Sequence, residues 1–215
     1  PTHGAEQAED FIGGSSASLD LRYRFEFVDE DTFEKNARAS LLRSRLTLES
    51  GTIRGWQGLL ELDDVRSIGA DRYNSTENGK TEYPTVADPE GTDLNQLWIS
   101  YEREDLSTHV GRQRILLGDM RFIGGKPWRQ NEQTYDGIRL QWSPTSALSI
   151  DASYVNRVNR IFGPDDGGNP SDWKGDNLFA RAQYRVGDAH ELAAFAYRVD
   201  VDPQAGFTSG QTVNN

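Results

Sequence analysis

The sequence contains no cysteine, which excludes disulfide bonds and any metal or iron–sulfur site with thiolate ligands. It also lacks long hydrophobic runs. No stretch approaches the roughly 18 apolar residues of a membrane-spanning helix, and the mean hydropathy is -0.72. Lysine is scarce, since only four of the 23 basic residues are lysine and the others are arginine. The net charge of -11 disfavours nucleic acid as a partner, and no motif indicates a cofactor.

Low hydropathy does not exclude a membrane protein, because membrane-spanning strands carry apolar residues only at every second position. Residues 17–28 show this alternation most clearly. Leu19, Leu21 and Tyr23 fall on one side of a strand, whereas Arg22 and Arg24 fall on the other. A helix would scatter both sets around its circumference. The pattern therefore predicts a strand with one apolar and one polar face.

Period-two patterns of this kind recur along the whole chain, which we treat as one domain, 1–215, with a polar N-terminal segment at 1–14. The predicted strands are 17–28, 37–50, 55–66, 93–103, 106–116, 134–143, 147–159, 176–186 and 190–200. Most have 10–13 residues, and a tilted strand needs about 9–11 residues to cross a membrane. The connections alternate between short turns and long polar loops, as in membrane barrels.

The predicted fold class is therefore all-β, a transmembrane up-and-down antiparallel β-barrel located in the bacterial outer membrane. If the short turns are periplasmic, the N-terminus lies inside. Nine strands do not close such a barrel, because bacterial single-chain barrels have even strand numbers. We therefore expect an N-terminal portion of a barrel of about 16–18 strands. Residues 206–215 are interpreted as the start of another outer loop.

Arginine dominates the cations on the polar strand faces, and this permits two readings. The planar guanidinium fork suits carboxylates and phosphates, so the polar faces could line a channel for anionic or polyhydroxylated solutes. Alternatively, the arginines pair with neighbouring acids and only brace the wall. Both readings stay open at this stage.

The segment 109–142 carries a resemblance to a known family. Its GRQR motif at 111–114 is followed by a glycine-rich stretch and by YDGIRL at 135–140. This pattern, with the strands LRYRFEFVDE and LRSRLTLES, resembles the alginate-export family of outer-membrane porins. The resemblance implies a large monomeric barrel whose arginine-rich lumen passes anionic polysaccharide or smaller related solutes. It also adds Arg112, Arg114 and Arg129 to the pore-lining candidates.

The complete set of pore-lining or substrate-binding candidates combines the strand faces with that resemblance. It comprises Arg22, Arg24, Glu26, Arg43, Arg45, Glu49, Arg112, Arg114, Arg129, Arg139, Asp151, Arg157, Arg181, Arg185 and Arg198.

Two stretches do not fit simple alternation. Strict alternation in 106–116 places Arg112 and Arg114 toward lipid, at a cost of about 2–4 kcal/mol each near mid-membrane. We therefore expect a β-bulge or register change near Gly111 that turns both inward, with a position at the lipid headgroups as the alternative. The segment 117–133 is either an ordinary outer loop or a loop that folds into the lumen and brings Lys126, Trp128 and Arg129 into the pore.

Weaker signals give the remaining expectations. Asp165, Asp166 and Asp172 are a weak calcium candidate in a turn-rich loop. Ser107 and His109 share a strand face, but no catalytic motif accompanies them, so we expect no enzyme. The competing class is a soluble all-β glycan-binding or glycan-cleaving domain. The expected partners are outer-membrane lipid or lipopolysaccharide and an anionic or sugar-like solute; a periplasmic export partner is compatible with the sequence.

Overall fold

The computed structural model describes residues 12–203 and 210–214 and contains a single antiparallel sheet of ten strands. The strands are β1 (Ser16–Val28), β2 (Ala37–Glu49), β3 (Trp56–Arg72), β4 (Gly91–Arg103), β5 (Leu106–Gln113), β6 (Thr134–Trp142), β7 (Leu148–Asn159), β8 (Asp172–Val186), β9 (His190–Val201) and β10 (Gly210–Asn214). Within the described residues, no helix is long and apolar enough to cross a membrane.

Each strand pairs with its neighbours in chain order, from β1 to β10. The connections alternate, as the sequence predicts, between short turns such as 104–105 and long loops such as 73–90 and 114–133. The up-and-down antiparallel arrangement is therefore confirmed. The expectation for 206–215 is wrong in one respect, because Gly210–Asn214 forms a strand on β9. Among the described residues, β1 and β10 are the two edges of the sheet.

The sheet has an outer face covered with large apolar side chains. On β1, Leu19, Leu21, Tyr23, Phe25 and Phe27 are between 49% and 64% exposed. In water, each large apolar side chain left exposed forgoes about 1.5–3 kcal/mol of burial free energy. A hydrocarbon environment removes that penalty, so this face is suited to lipid.

The opposite, inner face carries the polar side chains of the strands and is covered in part by two long loops. Segments between strands contribute two hydrophobic clusters there. One joins Ile115, Leu117 and Ile123 to strand residues that include Phe179 and Tyr197. The other joins Tyr73 and Val86 of the 73–90 loop to Ala37, Leu41 and Val65. The inner face is therefore not simply solvent-exposed, because loop residues pack onto it.

For β9, alternation predicts that Ala193, Phe195, Tyr197 and Val199 form the lipid-facing side and that Arg198 faces the lumen, and this assignment is wrong. The register pairs Tyr197 with Phe179, a member of the inner cluster, and pairs Arg198 with Leu178, which is 48% exposed on the outer face. Phe195 and Tyr197 therefore lie on the inner face, and Arg198 lies on the outer face, where it bonds Asp200 at 2.6 Å. Both faces of β9 are rich in alanine and aromatic or aliphatic residues, so alternation alone did not identify the lipid side.

Candidate functional site

Residues 114–133, which we call the inner segment, connect β5 to β6 and lie on the inner face of the sheet. Its apolar residues Ile115, Leu117 and Ile123 are buried against β7, β8 and β9. The phenol of Tyr135 at the start of β6 donates to the carbonyl of Gly124 at 2.8 Å. Burial of these side chains gives a physical reason for the infolding, which was one of the two alternatives for this stretch.

The other end of the inner segment is bound to β1 through backbone carbonyls. Arg22 donates to the carbonyl oxygens of Pro127, Trp128 and Arg129 at 2.8, 2.8 and 3.1 Å. Arg24 donates to the carbonyl of Trp128 at 2.5 Å. These bonds join parts of the chain that lie more than 100 positions apart in sequence. Arg22 and Arg24 therefore act first as clamps on the segment.

Gln130 and Asp88 complete this attachment. The Gln130 side-chain amide donates to the carbonyls of Arg22 and Leu41, both at 3.2 Å. Its backbone N–H donates to the Asp88 carboxylate at 2.7 Å. Asp88 lies in the 73–90 loop, is fully buried, and also faces Arg24 at 3.4 Å and Arg129 at 3.5 Å. Burial raises the pKa of Asp88 against the opposing effect of Gln130 and the two arginines.

The contacts of the inner segment require the sheet to curve. In a flat sheet, β1 and β9 would lie about 38 Å apart, since eight strand spacings of about 4.8 Å separate them. Yet Phe122 packs on Phe195 of β9, with ring centroids 5.7 Å apart, while Trp128 is bonded to β1. Residues 122 and 128 are close in sequence and include a turn closed by the Arg129 N–H and the Lys126 carbonyl. The inner face is therefore concave.

A second polar network holds the beginning and the end of the inner segment to β2, β3 and β4. Arg114 bonds Glu61 at 2.5 Å and also bonds Glu132. Arg45 forms a two-bond contact with Asp63, at 2.7 and 2.6 Å, and lies 3.2 Å from Glu132. Two arginines thus bind three carboxylates that are largely buried, which leaves the network with a formal charge of about −1.

A β-bulge supports this network. The β3–β4 register shifts after Glu61, which leaves Asn95 as an extra residue beside Gln96. The amides of Asn95 and Gln96 both donate to Glu61, at 2.7 and 3.2 Å. A bulge places two successive side chains on one face, so both amides reach the same carboxylate.

Most candidate residues lie on the concave face, and most of these are paired or bound. By register, the strand residues on it are Arg22, Arg24, Glu26, Arg43, Arg45, Glu49, Arg139, Asp151, Arg181 and Arg185. Arg114 and Arg129 of the inner segment join them through Glu61 and Glu26. Arg139 bonds Asp151 at 2.5 Å, and Arg43 bonds Asp20 at 2.8 Å. These arginines therefore pair with neighbouring acids and brace the wall, which was one of the two readings of the arginine-rich face.

Arg181 and Arg185 differ from the other inner arginines, which are bound by carboxylates or, in the case of Arg22, by backbone carbonyls. No carboxylate in the described part of the chain forms an ion pair with either guanidinium, although Asp151 lies opposite Arg181 in the ladder. These two side chains therefore keep more of their capacity to bind a dissolved anion.

The expectation for Arg112 is wrong. Neither ladder of β5 contains a register shift at Gly111. Gln113 pairs with Tyr135, which belongs to the inner cluster, so Arg112 occupies the outer row with Leu97 and Asp136. Its guanidinium is held by Asp136 at 2.8 and 3.2 Å and by the Leu94 carbonyl at 2.9 Å. Arg114 reaches the inner face because β5 has already ended at Gln113.

Arg157 also departs from the predicted inner set. The β7 ladders are irregular at Asn156, and the next residue, Val158, packs in the inner cluster. Arg157 therefore lies on the outer side, 3.6 Å from Asp172 and 3.9 Å from Asp136. Together with Arg112 and Arg198, it belongs to a row of ion pairs outside the concave face.

The calcium candidate is not assembled. In the part of the chain that the structure describes, no three acidic or histidine side chains lie close enough to hold a metal ion. Asp166 instead accepts bonds from the backbone and hydroxyl of Ser171, both at 2.8 Å, and Asp172 faces Arg157. Ser107 and His109 share the inner face, but no hydrogen bond joins them in the described residues; His109 packs edge-on against Trp98.

Residues outside the predicted set contribute strongly to this site. Asp88, Gln130 and Glu132 lie in loops and were not candidates, although they hold the inner segment in place. The acidic stretch around Asp88 reads from sequence as an outer loop. A local signal for a different role is the apolar pair Val86 and Ala87 within that stretch, which is buried in the structure.

A curved, up-and-down antiparallel sheet with an apolar outer face and a polar inner face defines the transmembrane β-barrel class. The sequence profile of the alginate export family matches residues 15–211. The chain therefore belongs to the alginate export family, and it is located in the bacterial outer membrane. This location and the lipid-suited outer face exclude the soluble glycan-binding alternative. No curated protein matches the sequence significantly.

Solved outer-membrane proteins share this fold at low sequence identity. OccAB3 of Acinetobacter baumannii matches with a TM-score of 0.65 and 16% identity, over 86% of this chain and 50% of its own. OccK8 (OprE) of Pseudomonas aeruginosa matches with a TM-score of 0.64 and 14% identity, over 88% and 48%. OpdK of P. aeruginosa, solved with vanillate, gives 0.62 and 13%, over 89% and 53%. The chain thus spans about half the length of these structures.

Proposed function

We propose that this chain forms part of the wall of an outer-membrane channel that passes anionic or polyhydroxylated solutes. The observation that carries the proposal is the inner segment on the concave face, where Arg22, Arg24 and Arg129 surround Trp128. A loop folded onto the inside of a curved sheet narrows the space that a solute would cross. The cations near it then act where the passage is narrowest.

Two comparisons support an anionic solute. The family to which the chain belongs is described by alginate export, and alginate is a polyanionic sugar polymer. The structurally similar OpdK was solved with vanillate, an aromatic carboxylate. We propose that a chain of sugar acids or its shorter oligomers is the solute, and that no catalytic step accompanies its passage. A monomeric barrel, contact with lipopolysaccharide and a periplasmic partner belong to the same proposal.

The unpaired and paired arginines have different roles in this proposal. Arg45, Arg114 and Arg139 are bound to buried carboxylates, so they brace the wall. Arg181 and Arg185 have no such partner in the described residues, so they contribute net positive potential to the passage.

Ion selectivity of the full-length protein in planar bilayers tests the proposal. A salt gradient gives a reversal potential that reports anion against cation preference. We expect an anion preference that decreases clearly in an Arg181→Gln/Arg185→Gln variant. Arg66→Gln is the matched control, because Arg66 is 55% exposed on the outer side with Asp64. A full-length protein that forms no conducting pore would overturn the channel, and unchanged selectivity in the double variant would overturn the role of these arginines.

A further inference from the structure

Trp128 is an exposed aromatic side chain on a rigidly held turn. It is 60% exposed although it lies on the inner segment. The Arg24 guanidinium lies 3.9 Å and the Arg129 guanidinium 5.1 Å from the centre of its ring. More than half of its surface is therefore left uncovered by the described part of the chain.

The backbone around Trp128 is held by several hydrogen bonds, although the side chain itself is exposed. The carbonyls of residues 127–129 accept four bonds from Arg22 and Arg24. The neighbouring Gln130 is bonded through its backbone and its side chain to Asp88, Arg22 and Leu41. An aromatic ring that is held in place before binding loses little freedom when a ligand stacks on it.

The charge around Trp128 favours an anion. The guanidinium groups of Arg24 and Arg129 lie against the ring, Arg22 binds the Trp128 carbonyl, and Lys126 begins the same turn. Two carboxylates, Glu26 and Asp88, face Arg24 and Arg129. Lys126 is exposed and has no ion-pair partner in the described residues. The charge balance is positive beside this aromatic surface, in contrast to the network around Glu61, where three carboxylates outnumber two arginines.

The inner segment exposes further apolar side chains. Leu116, Met120 and Phe122 are 44%, 43% and 55% exposed. Phe122 is positioned by Phe195 and Tyr197, with centroid separations of 5.7 and 6.3 Å. The inner segment therefore exposes several apolar side chains besides Trp128, and exposed apolar groups of this kind mark binding surfaces.

We infer that Lys126, Trp128 and Arg129 form a binding subsite for a ring that bears a carboxylate. The flat or apolar side of the ring stacks on the indole, and the carboxylate accepts bonds from Lys126 or Arg129. This inference rests on the proposed function, because the subsite lies in the proposed passage. It goes further by requiring both a ring and a charge, whereas an arginine-lined channel alone requires only charge.

Block of channel current by small solutes in planar bilayers separates these requirements. The probes are glucuronate and benzoate, which have a ring and a carboxylate. Glucose has a ring without the charge, and acetate has the charge without a ring. We expect glucuronate and benzoate to block the full-length protein at much lower concentrations than glucose or acetate. Equal block by acetate and glucuronate would overturn the inference.

Substitutions then assign the effect to the subsite. Trp128→Ala is expected to raise the half-blocking concentration of benzoate about tenfold, equivalent to about 1.4 kcal/mol. Trp128→Phe, which keeps an aromatic ring, is expected to retain much of the affinity that Trp128→Ala loses. Lys126→Gln is expected to weaken block by the carboxylates but not by glucose. Trp142→Ala is the control, because Trp142 lies on the outer face beside Leu106. Unchanged block in Trp128→Ala would overturn the inference.

The failure of this subsite is distinguishable from the failure of the channel. A conducting pore with unchanged block in Trp128→Ala rejects the subsite alone. If the protein does not conduct, glucuronate and benzoate binding to the detergent-solubilised full-length protein is measured by calorimetry. Binding lost in Trp128→Ala then supports the subsite without the channel, and binding that the variant retains rejects it.

Discussion

At the residue scale, a few buried or clamped side chains decide where the long loops lie. Arg22 donates to three successive carbonyls, and Asp88 binds Gln130 while facing two arginines. Such contacts are not visible in the sequence, because they join residues about 40 to 100 positions apart and depend on the curvature of the sheet. Alternation correctly placed Arg22 on the polar face but did not show what it binds.

Asp88→Asn is expected to loosen the inner segment. The amide keeps the size of the carboxylate but leaves Arg24 and Arg129 without that buried counter-charge, and removing one partner of a buried pair is strongly destabilising. We expect faster proteolysis within 114–133 and larger open-channel current noise in the full-length protein. Asp31→Asn is the control, since Asp31 is exposed in the 29–36 loop. Identical cleavage rates in both variants would contradict the role assigned to Asp88.

The surroundings of Glu77 indicate that the contact between the 73–90 loop and residues 163–171 depends on pH. Burial, with Asp165 and Asp166 nearby, raises the pKa of Glu77 from 4.5 to about 7. Because the folded form holds the proton more tightly, the contact gains stability as pH falls from about 7 toward 4.5 and loses it above about 7. Amide exchange in 73–90 and 163–171, corrected for its intrinsic pH dependence, should therefore be slower at pH 5 than at pH 8.

Glu77→Gln provides the control for this pH effect. The loop contact also contains a bond from the Gly168 N–H to the Thr76 carbonyl at 2.6 Å, which the substitution leaves in place. We expect exchange in the variant to be nearly independent of pH and slower than in the unchanged protein at pH 8. A variant that retains the full pH dependence would show that another group is responsible.

At the element scale, the strands can be predicted from the alternation of apolar and polar residues, whereas the β-bulges and register shifts within them cannot. The approximate positions of β1 to β8 and the faces of most of their residues could be read from sequence, because apolar and polar residues alternate there. Arg157 is an exception, because the irregularity at Asn156 turns it to the outer side. β9 could not, since Ala194 and Ala196 on one face resemble Ala193 and Phe195 on the other. The bulge at Asn95 and the left-handed backbone at Gly111 depend on neighbouring strands and give no local signal.

Gly111 is expected to be essential for the β4–β5 ladder. Its φ is 125°, and an added Cβ would lie 2.2 Å from the carbonyl oxygen of Leu97. Gly111→Ala should therefore destabilise the barrel by at least about 1–3 kcal/mol, the usual cost of such backbone strain. Gly58→Ala in β3 is the matched control, because its nearest atom would be 3.7 Å away.

The temperature at which the folded gel band of the full-length protein is lost measures this difference. A clear decrease is expected for Gly111→Ala and little change for Gly58→Ala. Equal temperatures for the two variants would contradict the assigned strain.

At the scale of the whole molecule, the sheet separates two environments. The outer face presents rows such as Leu178, Ala180 and Ala182, whereas the inner face presents Phe179, Arg181 and Gln183 on the same strand. The fold class and location could be predicted because apolar and polar residues alternate along the strands, so the sequence itself shows the two faces. The solute could not, because it depends on the width of the passage and on which cations are free, which only the folded arrangement shows.

The absence of cysteine allows the central claim, that the concave face lines a passage and the opposite face meets lipid, to be tested directly. Single cysteines at positions 180, 181, 182 and 183 of β8 would be the only thiols within this chain. A charged, membrane-impermeant thiol reagent is added to the full-length protein in a planar bilayer while current is recorded. Our account predicts that Arg181→Cys and Gln183→Cys react and change the current, while Ala180→Cys and Ala182→Cys do not. Reaction at all four positions, or only at 180 and 182, would contradict it.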